Sequence, residues 1–373
     1  MNKRLPIIVL SVFASFHIAA ACAETAAIYW TAKSEHTLVV NNIVTIAPGT
    51  YCLAGADLDT VSAHTHAVIQ QLDASRNSPV WITDVPPSEK EFFQNRFTSC
   101  AIMGDSIYGL EEVDTQPSST TSQTLLFVNR FDKQGRRTAR KQVSIAAKKP
   151  WTIGFAAMGE SLYALVGEQE SKAKTPGGMH LISMSSDLDV QRAISIPNGA
   201  FFYPSKMLTT EQGILLVGPF AKNAQEQDAE LAAAKLSPNG KYLWAQHIPY
   251  PASKATYTMN PDTQEIRVSV IQNGELQSQA VNAAGRISVA INVKSTACRA
   301  LGHAGSPDSP QILALSCDKP PQLVATSLST GLTTPIKKLD QKPLKSFDLT
   351  ESALIVMRSG NDTPEYQFLQ IKK

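Results

Sequence analysis

One turn, written six times, constrains this chain more than any other feature of its sequence. An apolar residue is followed by a small polar one, then one or two spacers, and usually Gly. The turn reads Leu72-Asp73-Ala74-Ser75, Phe131-Asp132-Lys133-Gln134-Gly135-Arg136 and Met184-Ser185-Ser186-Asp187. It returns as Leu236-Ser237-Pro238-Asn239-Gly240-Lys241, Val281-Asn282-Ala283-Ala284-Gly285-Arg286 and Leu328-Ser329-Thr330-Gly331. The starts lie 59, 53, 52, 45 and 47 residues apart. A period of about 50 residues marks a repeat architecture, whose units bury a core only by packing on their neighbours.

Each turn is preceded by an apolar run, and a seventh run has no turn of its own. The runs are Thr50–Ala54, Ile107–Leu110, Leu162–Val166, Ile214–Val217, Ile266–Ile271, Ile312–Leu315 and Ala353–Met357. A second strand carries the turn (Leu125–Phe131, Met179–Met184, Leu231–Leu236). A third follows it (Lys241–Ile248, Arg286–Val293), and another precedes the apolar run (Trp151–Ala157, Phe202–Leu208). Four short strands per unit, with no long helical period, predict an all-β chain: a seven-bladed β-propeller of four-stranded antiparallel blades spanning residues 24–373. The last unit (Lys345–Thr350, Ala353–Met357, Glu365–Ile371) lacks one strand. The N-terminal run Ala26–Ala32 can supply it, with Ile28–Thr31 beside Tyr366–Ile371, so that no open edge remains. A two-domain α/β chain is the alternative, but it needs parallel crossovers that the pattern lacks. Gln225–Lys235 reads as a helical turn within a loop.

Residues 1–23 read as a secretory signal, with Asn2-Lys3-Arg4, an apolar stretch from Leu5 to Ala20, and Ala21-Cys22-Ala23 as the cleavage site before Glu24. Ala19-Ala20-Ala21-Cys22 also resembles a bacterial lipoprotein box, with Ala where Leu is usual, and Cys22 would then carry the lipid anchor. Removing the signal takes Lys3 and Arg4 from 34 basic residues and leaves 32 against 32 acidic ones. A chain without net charge has no field to draw it onto nucleic acid. The expected location is therefore the periplasm, with the outer membrane reached only through a lipid at Cys22. Cys52, Cys100, Cys298 and Cys317 remain, an even number suited to disulfides in an oxidising compartment. Folding the hairpin around Ser306–Pro310 brings Cys298 opposite Cys317. Cys52 and Cys100 either bridge two blades or stay as buried thiols.

The segment Ala234–Trp244 resembles the turn-plus-Trp signature of bacterial quinoprotein-like propeller repeats, which include the outer-membrane assembly propeller lipoproteins. Leu328–Leu332 is a shorter match. The resemblance covers those turns alone. It implies a repeat type and no activity, because the Trp is missing from most units and those relatives usually have eight blades. Ser237–Trp244 also departs from the sialidase Asp-box, with Asn in place of Asp and Gly one position early.

In such a fold the repeated turns and Ala157–Ser161, Thr209–Gly213 and Thr350–Ser352 share one face. Long insertions share the other: Asp57–Ala63, Pro86–Thr98, Glu111–Ser122, Glu168–Gly178, Pro219–Glu230 and Pro249–Thr258. Binding is expected on that long-loop face. The aromatics Phe201, Phe202, Tyr203, Tyr250 and Tyr257 are the candidate anchors there, with blade packing as their other use. His64 and His66 share a strand face but lack a third metal ligand. Lys133 to Lys149 carries only basic charge and reads as a solvated outer strand. Glu111-Glu112 reads as loop surface. No nucleotide, cofactor, metal or nucleophile–base motif is present, so neither catalytic residues nor a cofactor are assigned. The expected function is a non-catalytic, monomeric protein-interaction or scaffold module of the bacterial cell envelope. The alternative is a hydrolase or lyase acting on a glycan or lactone in the central funnel, which would show converging Asp, Glu, His or Arg side chains there.

Overall fold

The computed structural model describes residues 27–33, 37–58, 64–73, 75–76, 79–87, 93–115, 123–145, 150–168, 178–196, 201–221, 229–260, 263–304, 310–319, 321–338, 344–349, 354–359 and 365–370. The signal segment, Cys22, the tip of the Ser306–Pro310 turn, Lys148 and Lys149 lie outside them. The described residues contain strands and no helix. A first sheet holds β2 (Thr37–Ala47), β3 (Thr50–Leu58), β4 (Thr65–Asp73) and β5 (Trp81–Val85). A second holds β6 (Gln94–Met103), β7 (Ser106–Asp114), β8 (Thr124–Phe131) and β9 (Arg137–Val143), and a third β10 (Pro150–Met158), β11 (Ser161–Glu168), β12 (Met179–Met184) and β13 (Val190–Ile196). The fourth comprises β14 (Phe201–Phe202), β15 (Lys206–Thr210), β16 (Gly213–Ala221), β17 (Glu230–Leu236) and β18 (Tyr242–Pro251). The fifth has β19 (Ala255–Asn260), β20 (Glu265–Gln272), β21 (Glu275–Val281) and β22 (Ile291–Lys294). The sixth has β23 (Ala297–Ala304), β24 (Gln311–Ser316), β25 (Gln322–Ser327) and β26 (Thr333–Lys338). The last joins β27 (Leu344–Leu349), β28 (Leu354–Ser359) and β29 (Glu365–Gln370) to β1 (Ala27–Lys33). Within it β1 runs antiparallel to β29, with Ile28 opposite Leu369 and Thr31 opposite Gln367.

Every sheet is antiparallel and in sequence order, with β1 the one element taken from the far end of the chain. The fourth sheet counts five strands because Pro204 interrupts the expected Phe202–Leu208 strand. A proline has no N–H to give a ladder, and β14 and β15 each pair with β16 on either side of it. Gln225–Lys235 is not helical where it is described: Glu230–Leu236 is strand β17. Its alanines bury both faces, which a strand between two others permits.

The core lies between sheets. One cluster joins Leu110, Leu126 and Val128 of the second sheet to Phe155, Leu162 and Ile182 of the third. Equivalent clusters join first to second, third to fourth, fourth to fifth and fifth to sixth. Second strands such as β16 are buried along most of their length, whereas the outer β9 and β13 are mostly exposed. That difference explains why the second strand of each unit stands out as an apolar run.

The repeated turn has a local cause and a tertiary use. The small polar residue caps it: Asp132 accepts from the N–H groups of Gln134 and Arg136, both at 2.9 Å. Asn282 accepts from Ala284 and Arg286 at 3.1 and 2.9 Å. Asx and Ser side chains stabilise turns in this way. The left-handed position falls on Gly135, Gly240 and Gly285, and in the third unit on Leu188, at φ 67°. The second to sixth turns then dock on the outer strand of the preceding sheet. A Cβ on Gly135 would lie 2.5 Å from the Trp81 ring, and one on Gly285 would lie 2.7 Å from that of Trp244. The Trp244 indole also donates to the Ala283 carbonyl at 3.1 Å. Gly is needed at these two positions both for the positive φ and to let the indole approach.

Candidate functional site

The inner strands β2, β6, β10, β15 and β19 surround a channel of about 510 Å³. Its lining is apolar or carries Ser, Thr and Asn, and among the described residues its one charged side chain is Lys206. Much of the polar lining is committed to neighbouring sheets. Asn41 donates to the Phe97 carbonyl at 2.8 Å, and Ser99 donates to Asn42 at 3.2 Å. Thr209 donates to the Ala157 carbonyl at 2.9 Å, and Thr256, outside the channel lining, to that of Leu301 at 2.9 Å. The sequence reading missed this stitching, because a lone Ser, Thr or Asn in a strand carries no signal of its partner.

One contact beside the channel has the reach of a nucleophile–base pair: Ser269 Oγ lies 2.8 Å from His303 Nε2. The direction of the bonds removes that role. Ser269 donates its proton to Ser278 at 2.8 Å, so it must accept from Nε2–H. Nδ1, left without a proton, then accepts from Thr258 at 2.7 Å. An imidazole donating to the hydroxyl cannot withdraw its proton. Ser269 and Ser278 are also fully buried.

Burial, reinforced by the positive charge of Arg267, holds the His303 pKa down to about 3. The unfolded chain titrates near the ordinary value of about 6.5, so below that pH it binds a proton the folded protein refuses. Stability from this group is therefore complete above about pH 6.5 and is lost as pH falls toward 3. Between about pH 7.5 and 5 the wild type is expected to lose about 2 kcal/mol more than a His303→Gln variant. Urea unfolding of both proteins at the two pH values checks this, and equal losses would contradict it.

Glu111 and Glu112 correct the loop-surface reading. They sit in β7 and are 1% and 4% exposed. Adjacent strand residues point to opposite faces, and the two carboxylates accordingly tie the second sheet to both neighbours. Glu111 accepts from Asn95 at 2.7 Å, Asn129 at 2.8 Å and Arg140 at 3.0 and 3.3 Å. Asn95 in turn donates to the Val85 carbonyl and accepts from the Ala67 N–H of the first sheet. Glu112 accepts from the Thr152 N–H of the third sheet at 2.7 Å and pairs with Arg96. The basic segment is likewise only partly a solvated strand. Arg140 turns inward, with its guanidinium 3.6 Å from the Phe127 ring centre. Lys141 and Arg130 pair with Asp189 and Asp187 of the next unit's turn.

The aromatic candidates divide. Phe202 and Tyr250 are 6% exposed and belong to separate inter-sheet cores, and the side chain of Phe201 is not described. Tyr203 lies between β14 and β15, its N–H bonded to the Pro219 carbonyl at 2.8 Å. Tyr257 contacts Ser205 through its hydroxyl, and the Lys206 ammonium lies 5.7 Å from its ring centre. Burial pushes the Tyr257 hydroxyl up from its ordinary pKa, outweighing the opposing bond from Ser205. His64 packs edge-on against Phe93, and among the described residues no three His, Cys, Asp or Glu side chains are placed to hold a metal. The long-loop face is smaller than the sequence implied, since β6 begins at Gln94, β7 runs to Asp114, β16 to Ala221 and β18 to Pro251. Both disulfides form: Cys298–Cys317 closes the β23–β24 hairpin, and Cys52–Cys100 joins β3 to β6 of the next sheet.

No family model and no curated protein sequence matches this chain. Solved structures do. YCF48 bound to D1 peptide is 10% identical with a TM-score of 0.54, the match covering 92% of this chain and 96% of that one. The β-propeller domain of the Trilobed protease from Pyrococcus furiosus, with an open velcro topology, is 8% identical at 0.51, covering 92% and 97%. The WD40 β-propeller domain of Doa1 is 10% identical at 0.51, covering 93% and 98%. Identities this low show the fold alone: the chain is a β-propeller.

Proposed function

We propose that the seven sheets are the blades of one propeller, closed by β1 against β29, and that the protein is a non-catalytic interaction module of the bacterial cell envelope. Residues 1–23 export it, Cys22 is either removed or lipidated, and the monomer holds a protein partner on its long-loop face. The observation that carries this reading is the channel lining, where a funnel hydrolase or lyase would gather acids, imidazoles or guanidiniums. Lys206 is the single charge there among the described residues. The neighbouring imidazole, His303, is bonded in the wrong sense to activate Ser269. Propellers serve many functions on one scaffold, so the site rather than the fold argues the case.

Site-specific photo-crosslinking in an envelope extract tests it. Probes at the exposed Gln123 and Asn273 lie at connections between second and third strands, on the long-loop face. Probes at the exposed Gln134, Glu160 and Glu211 lie in turns of the opposite face. The first pair should yield adducts of one common mass and the second set none. Equal labelling of both faces, or no adduct from either, would overturn the proposal.

A further inference from the structure

We infer that a cationic pocket on the long-loop face, between the fourth, fifth and sixth sheets, receives an acidic peptide segment of the partner. This rests on the interaction-module reading above and gives that partner a chemistry. The pocket has a volume of about 750 Å³ and is lined by Lys206, Lys254, Arg299, Tyr257, Gln272 and Asn273 among others. Among the described residues its charged lining is Lys206, Lys254 and Arg299, with no acid. Glu275 and Asp318, acids close in sequence to lining residues, are not part of it.

Composition does not account for this concentration, since the chain carries 34 basic and 32 acidic residues. Several cations elsewhere face carboxylates (Arg96, Arg130, Lys133, Arg136, Arg140, Lys141 and Arg267), and Arg192 and Lys235 bond amide oxygens. Lys206 and Lys254 have no carboxylate within salt-bridge reach among the described residues, and both are exposed to solvent. Like charges crowded around one concavity repel and raise the local potential, a cost that an anionic guest relieves. The size favours more than a single ion, because pockets of about 300–1,000 Å³ enclose ligands of several groups. Ile271, Ala255 and Leu301 give apolar wall to the same pocket, and Gln272 and Asn273 offer amide groups suited to a peptide backbone. The disulfide at Cys298 pins the start of β23, which carries Arg299, so this cation is presented from a fixed strand end.

The test is fluorescence anisotropy with the mature protein and a labelled peptide of alternating Glu and Gly, set against the same peptide with Gln for Glu. The Glu peptide should bind, weaken steeply with added salt, and lose at least about tenfold in affinity in a Lys206→Gln/Lys254→Gln/Arg299→Gln variant, roughly 1.4 kcal/mol. These exposed substitutions should leave the melting temperature unchanged, and a Glu160→Gln variant in a turn of the opposite face should bind within about twofold of wild type. Equal binding of the Gln peptide, no binding of either, or full binding by the triple variant would overturn the inference. Inorganic phosphate displacing the peptide at equal concentration would overturn it too, marking a small-anion site. Partner adducts that still form at Gln123 and Asn273 in the triple variant would remove this pocket while leaving the module standing. Loss of adducts in the wild type itself would remove the module.

Discussion

Replacing Arg140 with Ala is expected to cost about 3–5 kcal/mol of stability, the range for stranding one member of a buried ion pair. Arg140 donates twice to Glu111, a carboxylate 1% exposed that sits between the first and second sheets. The amides of Asn95 and Asn129 also reach that carboxylate, but neither carries charge. Without the guanidinium the anion stays buried, held by neutral donors alone, and the Phe127 ring loses the cation above it. The rescue is as diagnostic as the loss. Adding Glu111→Gln to Arg140→Ala removes the stranded charge while keeping a side chain that both asparagines can meet. More than about 1 kcal/mol should return, as expected for residues of one network. Urea unfolding of the wild type, the single variant and the double variant reads both effects. A single variant within about 0.5 kcal/mol of wild type would show the pair to be an ordinary surface contact.

Removing Cys52–Cys100 by a double Ala substitution should cost about 4 kcal/mol, and removing Cys298–Cys317 about 3 kcal/mol, in the chain-entropy account of cross-links. The order follows from the sequence separations of 48 and 19 residues, since a longer loop loses more freedom when tied. The first bridge also does something the second does not. It joins β3 of one sheet to β6 of the next, whereas Cys298–Cys317 lies within a single hairpin. Loss of the first should therefore loosen an interface between sheets, and limited proteolysis should cut between residues 73 and 94 before any other region. Equal unfolding midpoints for the two double variants would contradict the ranking. Free thiols in non-reducing peptide maps would contradict the bridges themselves.

The antiparallel order of the strands, and the turns between them, were legible without a structure because their causes are local. A capping Asp, Asn or Ser followed by a residue at positive φ makes the same turn wherever it occurs, as at Asp132–Gly135 and Asn282–Gly285. A strand covered on both faces is mostly apolar, so the second strand of each unit announces itself, as Ile214–Val217 does. The Cys298–Cys317 pairing followed from the same hairpin arithmetic. Tertiary structure decided everything that depends on a partner about 50 residues away, the spacing between repeats. Glu111 reads as a loop residue because an isolated carboxylate belongs in water. Only the arrival of Asn95, Asn129 and Arg140 makes its burial tolerable. Arg140 reads as solvated for the same reason. Phe202, Tyr250 and Tyr257 are alike in sequence, yet the neighbouring sheets bury the first two in cores, whereas Tyr257 packs against the Tyr250 core and also borders a pocket. The cations of that pocket, Lys206, Lys254 and Arg299, are far apart in the chain and meet because the starts of β15 and β23 and the connection into β19 share one rim. Local chemistry set the elements, and the packing of one sheet on the next chose which side chains border an opening.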